Sequence, residues 1–128
     1  MRVAPVAIDA ASLRNIRMLQ RPGRPDLLAA IIEIYLSTTP GEVDTLVAAV
    51  AARDLALAGR TAHKLKGNSR AVGALRVGDL LASIEAAVDE ATPAPLASRV
   101  AELREAHDDA LRELTTIVGV ERTDEHDE

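Results

Sequence analysis

The chain has 128 residues and a net charge of −5, and at this length we expect a single domain. It has no cysteine, which excludes disulfides and thiolate metal sites and fits a reducing compartment. Apolar residues make up 48% of the chain but aromatic residues only 1%, a composition that favours helices over sheet.

Membrane insertion and secretion are not expected from the apolar pattern. No apolar run approaches the ~20 residues needed to span a bilayer. The N-terminus carries Arg2 but lacks a sustained apolar segment before Asp9, so a secretory signal is not expected either. We therefore expect a cytoplasmic protein.

The first predicted helix is short. Asp9 has the position of its N-cap, and Pro22-Gly23 ends it. Its apolar stripe consists of Leu13, Ile16 and Leu19.

The second predicted helix begins near Pro25 and carries apolar residues at helical spacing as far as Val50. Within it, Thr39-Pro40-Gly41-Glu42 has the pattern of a capping box. We expect this box to restart or kink the helix.

The third predicted helix contains His63. Asp54 can cap its start, and Gly73 can end it in the left-handed conformation. Its apolar stripe has alternating spacings of three and four residues and consists of Leu55, Ala58, Ala62, Leu65, Ser69 and Val72. His63 lies beside this stripe, near the boundary with water.

Two further helices complete the predicted fold. One covers about Leu75 to Ala91, and after a stiff turn at Thr92-Pro93-Ala94-Pro95 the last follows from Leu96 to Val118. Short connections between four substantial helices predict an all-α, up-down-up-down antiparallel four-helix bundle, with the first short helix capping one end. We assign residues 1–120 to this domain and the charged residues 121–128 to a disordered tail.

The segment around His63 is basic. Between Leu55 and Gly78 there are five basic residues and no acidic one, whereas the rest of the chain has 10 basic and 20 acidic residues. The five are Arg60, Lys64, Lys66, Arg70 and Arg76. This pattern predicts a local charge of +5 around the histidine, against −10 elsewhere.

Two glycines lie one helical turn from His63. Gly59 precedes His63 by four residues and Gly67 follows it by four. Arg60 precedes it by three residues and Lys66 follows it by three, so all four are its neighbours on the helix surface. A glycine inside a helix costs about 1 kcal/mol relative to alanine. We infer that side-chain bulk has been cleared so that another molecule can approach the ring, and a phosphoryl group suits this cationic surface.

Residues 62–74, AHKLKGNSRAVGA, resemble the histidine-containing phosphotransfer (HPt) domains of bacterial multistep phosphorelays. The pattern of that family is Ala-His-x-Leu-Lys-Gly-Ser-Ser, then three residues and Gly-Ala. The matching positions are Ala62, His63, Leu65, Lys66, Gly67, Ser69, Gly73 and Ala74. Asn68 is the one departure, and an asparagine can still donate a hydrogen bond. A looser resemblance extends from Ile8 to Val118, and Val77, Leu80, Ile84 and Glu85 are similar in spacing to the next helix of the family.

The resemblance implies a phosphotransfer protein without a nucleotide site. His63 would accept a phosphoryl group from an aspartyl-phosphate of a response-regulator receiver domain and pass it to an aspartate of another receiver, in a pathway with a hybrid sensor kinase. The chain would need no cofactor of its own, because the receiver supplies Mg²⁺. We expect a monomer, and Met1 and the complete set of helices favour a free-standing protein over an excised domain.

From charge and helical spacing we also assign roles to the residues around His63. Lys66 would neutralise phosphoryl charge and Gly67 would provide clearance. The residues expected to support them are Asn68, Ser69, Arg70, Gly59 and Arg60.

Other interpretations remain open. A histidine between two lysines on an exposed helix face is commonly solvated surface only. A helical adaptor could bind receivers without transferring a phosphoryl group, although the presence of both His63 and Lys66 argues against it. A nucleic-acid-binding protein would use basic residues for phosphate contacts, but this chain is acidic overall, so we expect no nucleic-acid partner.

The chain has two other histidines that could be functional. His107 lies on the apolar stripe of the last helix, and we interpret it as hydrogen-bonded within the bundle. His126 belongs to the acidic tail. The Glu-x-x-His pairs of bundle di-metal sites are absent from the sequence, so we predict no metal site.

Overall fold

The computed structural model describes residues 7–90 and 93–126. In this part of the chain it contains five helices and no strand, which confirms the all-α prediction. The helices are α1 (Ala10–Arg17), α2 (Leu27–Ala51), α3 (Leu55–Ala71), α4 (Leu75–Asp89) and α5 (Pro93–His126). No helix of the described ranges is long and apolar enough to cross a membrane.

The first helix begins where predicted but ends earlier. The Oδ2 of Asp9 accepts hydrogen bonds from the backbone N–H of Ser12 (3.1 Å) and from its hydroxyl (2.9 Å). After Arg17 the chain tightens, because the N–H of Leu19 bonds to the carbonyl of Ile16, three residues back. This tighter turn carries Leu19 out of the apolar stripe, and it is 68% exposed, so its predicted burial was wrong.

The second helix runs through Pro40 without a new start, so the predicted capping box and restart were wrong, while the alternative of a kink stays a prediction. The Thr39 hydroxyl donates to the carbonyl of Tyr35 (2.8 Å), one turn earlier, instead of capping a new helix. An interior proline costs about 3 kcal/mol. Buried Tyr35 before it and buried Val43 and Leu46 after it form one continuous apolar face, whose packing offsets that cost.

The predicted ends of the third helix are confirmed. Asp54 caps it by accepting from the backbone N–H of Leu57 (3.2 Å). Gly73 follows it with φ +81°, and the Asp9 N–H donates to the Gly73 carbonyl (2.8 Å). A Cβ at Gly73 would lie 2.8 Å from the Asp9 carbonyl oxygen. Both the left-handed backbone and the approach of the segment before α1 therefore require glycine here.

The four long helices enclose one apolar core. α3 packs against α2 and α4, α5 packs against the same two helices, and α1 lies against α2. The large apolar side chains that are fully buried come from all four: Leu28, Ile32, Leu46, Leu65, Leu81, Ile84, Leu103 and Leu114. The core therefore rests on aliphatic residues, as the composition predicts.

The last helix begins earlier and extends further than predicted. Pro93, Ala94 and Pro95 belong to α5, and Thr92 lies outside the described residues, as does Ala91 at the predicted end of the fourth helix. The backbone of residues 121–126 is helical where we expected a disordered tail. A helix that has already formed adds one hydrogen bond per residue, so it can continue past its packed part. Residues 127–128 lie outside the described ranges, and the domain boundary at residue 120 stays a prediction.

Candidate functional site

His63 lies in the middle of α3 with its ring in water. Its side chain is 73% exposed, while Ala62 and Leu65 beside it in the sequence are buried. The buried stripe holds the backbone of α3 against the core. The imidazole is therefore presented to solvent from a helix fixed to the core, as its position beside the stripe predicts.

Glu85, on α4, connects His63 with Lys66. Its Oε2 lies 3.2 Å from His63 Nδ1, and its Oε1 lies 2.7 Å from Lys66 Nζ. Glu85 was not among the predicted site residues; only its spacing in the next helix had been noted. The charge pattern missed it because it comes from outside the acid-free segment, and the packing of α4 on α3 brings it to the histidine.

The contact with Glu85 selects one form of the neutral imidazole. An ionised carboxylate only accepts hydrogen bonds, so neutral His63 donates from Nδ1 and keeps its lone pair on Nε2. Burial acts to raise the pKa of the Glu85 carboxyl, but the hydrogen bonds from Lys66 and His63 outweigh it, and the pKa lies below its usual value. Glu85 is therefore a carboxylate at neutral pH.

The predicted acid-free surroundings of His63 were wrong. Three of the nearby cations have an acidic partner on a neighbouring helix. These ion pairs are Lys64 with Glu42 on α2 (3.9 Å), Lys66 with Glu85 on α4 (2.7 Å) and Arg70 with Asp79 on α4 (4.0 Å). The helices before and after α3 thus supply the acids that the segment itself lacks, and three of its five positive charges have an acidic partner.

The two glycines near His63 have different surroundings. A Cβ at Gly67 would meet no atom within 4 Å, whereas one at Gly59 would lie 3.6 Å from Val88 Cγ1, an ordinary contact. Open space is therefore present at Gly67, and Gly59 lies where α3 meets α4. The clearance role of Gly67 remains a prediction.

Of the predicted supporting residues, Ser69 and Arg70 do not surround the ring. The Ser69 hydroxyl is fully buried and lies 2.8 Å from the Tyr35 hydroxyl, so it links α3 to α2 inside the core. Arg70 packs over α4, because a Cβ at Gly78 would lie 2.8 Å from Arg70 Cγ. Asn68 lies on the side of α3 that faces α2, where it lines a groove with Tyr35.

A groove of about 380 Å³ lies beside the imidazole. It is lined by Gly59, Arg60, His63, Glu85 and Asp89. Arg60 is exposed and has no ion pair with the side chains of residues 7–90 and 95–120. The groove thus places the histidine, one cation and two carboxylates around a space open to solvent.

The Hpt domain family model matches residues 30–115, more than half of the 128 residues and including the whole of α3 and α4. The chain belongs to the Hpt domain family. Hpt domains carry phosphoryl groups on histidine in the phosphorelays of two-component signalling, and they interact with receiver domains and kinases. Comparisons with curated proteins and with solved structures give no match.

His107 of this Hpt domain has a structural contact in the core, which confirms its interpretation. It is 3% exposed, its Nε2 lies 2.8 Å from Thr39 Oγ1, and its ring centre lies 6.1 Å from that of Tyr35. Since the Thr39 proton is already donated to the Tyr35 carbonyl, His107 donates from Nε2. Burial lowers the pKa of His107, which favours the neutral ring.

The side chain of His126 lies outside the described part of this Hpt domain. Among the side chains that the structure does describe, no group of three or more His, Cys, Asp or Glu could hold a metal ion.

Proposed function

We propose that this Hpt domain is a phosphorelay intermediate in which His63 accepts a phosphoryl group from an aspartyl-phosphate of one receiver domain and passes it to an aspartate of another. The observation that carries this proposal is the pairing of an exposed imidazole with a carboxylate at Nδ1. That contact leaves Nε2 as the nucleophilic atom on the exposed ring.

The transfer step follows from this arrangement. The Nε2 lone pair attacks phosphorus, a P–N bond forms, and the aspartyl P–O bond breaks, leaving its electron pair on the receiver carboxylate. The proton on Nδ1 stays in place, so the phosphorylated ring carries a positive charge. The Glu85 carboxylate lies next to this charge and stabilises it. The same steps in reverse deliver the phosphoryl group to the second receiver.

The other site residues assist this step. Gly67 leaves room for the docked receiver, and Lys66, one turn from the ring, holds the Glu85 carboxylate at 2.7 Å. Mg²⁺ belongs to the receiver, where it neutralises charge on the donor and acceptor aspartates, so the chain needs no cofactor of its own.

The proposal includes a bundle topology and a cellular setting. We propose that α2 to α5 run up-down-up-down, supported by the packing of each helix on its chain neighbours and by the three-residue connections 52–54 and 72–74. The protein would act in the cytoplasm as a monomer, with receiver domains and a hybrid sensor kinase as its partners.

Transfer from a labelled receiver tests the proposed function. A receiver phosphorylated with ³²P and freed of small molecules is mixed with the full chain, and the label is expected to move to the chain as a base-stable, acid-labile phosphohistidine. Binding without transfer from any receiver that docks would favour the adaptor interpretation instead. The assay uses a panel of phosphorylated receivers as donors.

A further inference from the structure

The cations near His63 differ in what they contact. Lys64, Lys66 and Arg70 each have an acidic partner on a neighbouring helix. Arg60 is exposed, lines the groove that contains His63, and has no ion pair with any side chain that the structure describes. Arg60 is therefore the cation lining this groove whose positive charge is available to an incoming anion.

The position of Arg60 suits a phosphoryl group on the ring. It precedes His63 by three residues on α3, a spacing that places Cβ atoms about 5–6 Å apart. A guanidinium presents a planar set of five donors that matches two oxygens of a phosphoryl group at once. Lys66 would have to leave Glu85, at 2.7 Å, to make the same contact.

We propose that Arg60 is the residue of this chain that contacts the phosphoryl group on Nε2 of His63, and that Lys66 is a positioning residue that acts through Glu85. This division of roles rests on the proposed function of His63. It differs from the expectation of the sequence analysis, in which Lys66 neutralises the phosphoryl charge.

Replacing Asp89 should change the lifetime of phosphohistidine in the direction opposite to replacing Arg60. The exposed carboxylate of Asp89 lines the same groove, four residues after Glu85, and it repels a dianionic phosphoryl group. Replacing Asp89 by asparagine is therefore expected to lengthen the lifetime of phosphohistidine, whereas removing the Arg60 charge is expected to shorten it.

Phosphoramidate is the probe, because it phosphorylates histidine without a receiver. Nε2 attacks its phosphorus, the P–N bond of the reagent breaks, and ammonia leaves. The full chain is labelled in this way, and the rate of formation and the half-life of phosphohistidine are measured for wild type, Arg60→Ala, Arg60→Lys and Asp89→Asn. We expect Arg60→Ala to slow formation and shorten the half-life several-fold, with Arg60→Lys intermediate.

The control is Arg76→Ala. Arg76 is exposed near the start of α4, outside the groove, and has no ion pair in the described residues, so its loss changes the net charge equally. If Arg76→Ala and Arg60→Ala lowered the formation rate and the half-life of phosphohistidine equally, the effect would come from net charge alone and the proposal would be overturned. Wild-type behaviour of Arg60→Ala would also overturn it. Absence of label on His63 in the wild type would instead refute the proposed function.

A spectroscopic measurement separates the positioning role from the contact role. The ¹⁵N chemical shifts of the His63 ring report which nitrogen carries the proton. Lys66→Ala is expected to change the populations of the two ring forms, because Glu85 loses the contact that holds it, and Arg60→Ala is expected to leave them unchanged. A change in Arg60→Ala but not in Lys66→Ala would reverse the two assignments.

Discussion

His63 and His107 are two histidines of one bundle in opposite environments. His63 is 73% exposed and faces a carboxylate through Nδ1, whereas His107 is 3% exposed and faces a hydroxyl through Nε2. The carboxylate can stabilise positive charge on the ring of His63. The Thr39 hydroxyl offers His107 a lone pair but no charge, and burial opposes protonation there. Exposure and the partner across the helix interface therefore distinguish the proposed phosphorylation site from the buried histidine.

The largest expected effect is the loss of His63 itself. His63→Gln is expected to abolish phosphoryl transfer from a receiver while the helical circular dichroism signal stays unchanged, because the side chain lies outside the core. His107→Gln is the matched variant and should still be labelled. Label on His107 in the His63→Gln variant would contradict the assignment of His63 as the phosphorylated residue and of His107 as a structural one.

The second effect concerns the partner of His63. Glu85→Gln removes the negative charge beside the phosphorylated ring, and hydrogen bonds to charged groups contribute about 1.5–3 kcal/mol. We expect the transfer rate, measured by rapid quench, to fall about tenfold or more. Glu42→Gln is the control, because Glu42 pairs with Lys64 and not with the histidine. A transfer rate equal to wild type in Glu85→Gln would show that the carboxylate does not act on the ring.

The third effect separates access from reactivity. Gly67→Leu should raise the free energy of unfolding by up to about 1 kcal/mol through better helix propensity, yet slow transfer from a receiver, because the new side chain fills open space beside His63. Labelling by phosphoramidate should change less than transfer does. Gly119→Leu, also at a helix position with open space, should gain stability without losing transfer. Unimpaired transfer in Gly67→Leu would remove the clearance role.

The smallest effect belongs to His107 and appears in the pH dependence of stability. Because its pKa is lowered in the folded state, the unfolded chain binds more protons between about pH 6.5 and that lower pKa. The contribution of neutral His107 to the free energy of unfolding is complete above pH 6.5. It is lost as the pH falls below that value, by at most about 1.4 kcal/mol per pH unit. Urea unfolding at several pH values should show a shallower acid dependence in His107→Leu than in wild type, and identical slopes would contradict this account.

The sequence predicts the features of the fold that depend on local chemistry. The caps at Asp9 and Asp54 and the left-handed Gly73 are each specified by neighbouring residues, and the structure contains all three. The capping box at Pro40 was wrong because local propensity favours a break there, while the apolar face of α2 continues on both sides of the proline. Packing outweighed propensity at this point.

Only the features of the site that lie within α3 were predictable from the sequence. The exposure of His63 and the open space at Gly67 follow from the spacing within α3. The contact of Glu85 with His63 joins residues 22 positions apart, and depends on how α4 packs on α3. Charge counted along the sequence therefore overestimated the positive field, because the acids that balance it lie on other helices.

The hydrogen bond between Tyr35 and Ser69 has a practical consequence. Tyr35 is the only aromatic residue of the chain, and its burial raises its pKa to about 12, so the phenol stays neutral across the usual working range. All intrinsic ultraviolet fluorescence thus originates from one ring at the contact of α2 with α3, six residues along α3 from His63. The molecule carries its own optical reporter. A change in that emission on phosphorylation would record movement of the helix interior, and a constant signal would mark α3 as a rigid support.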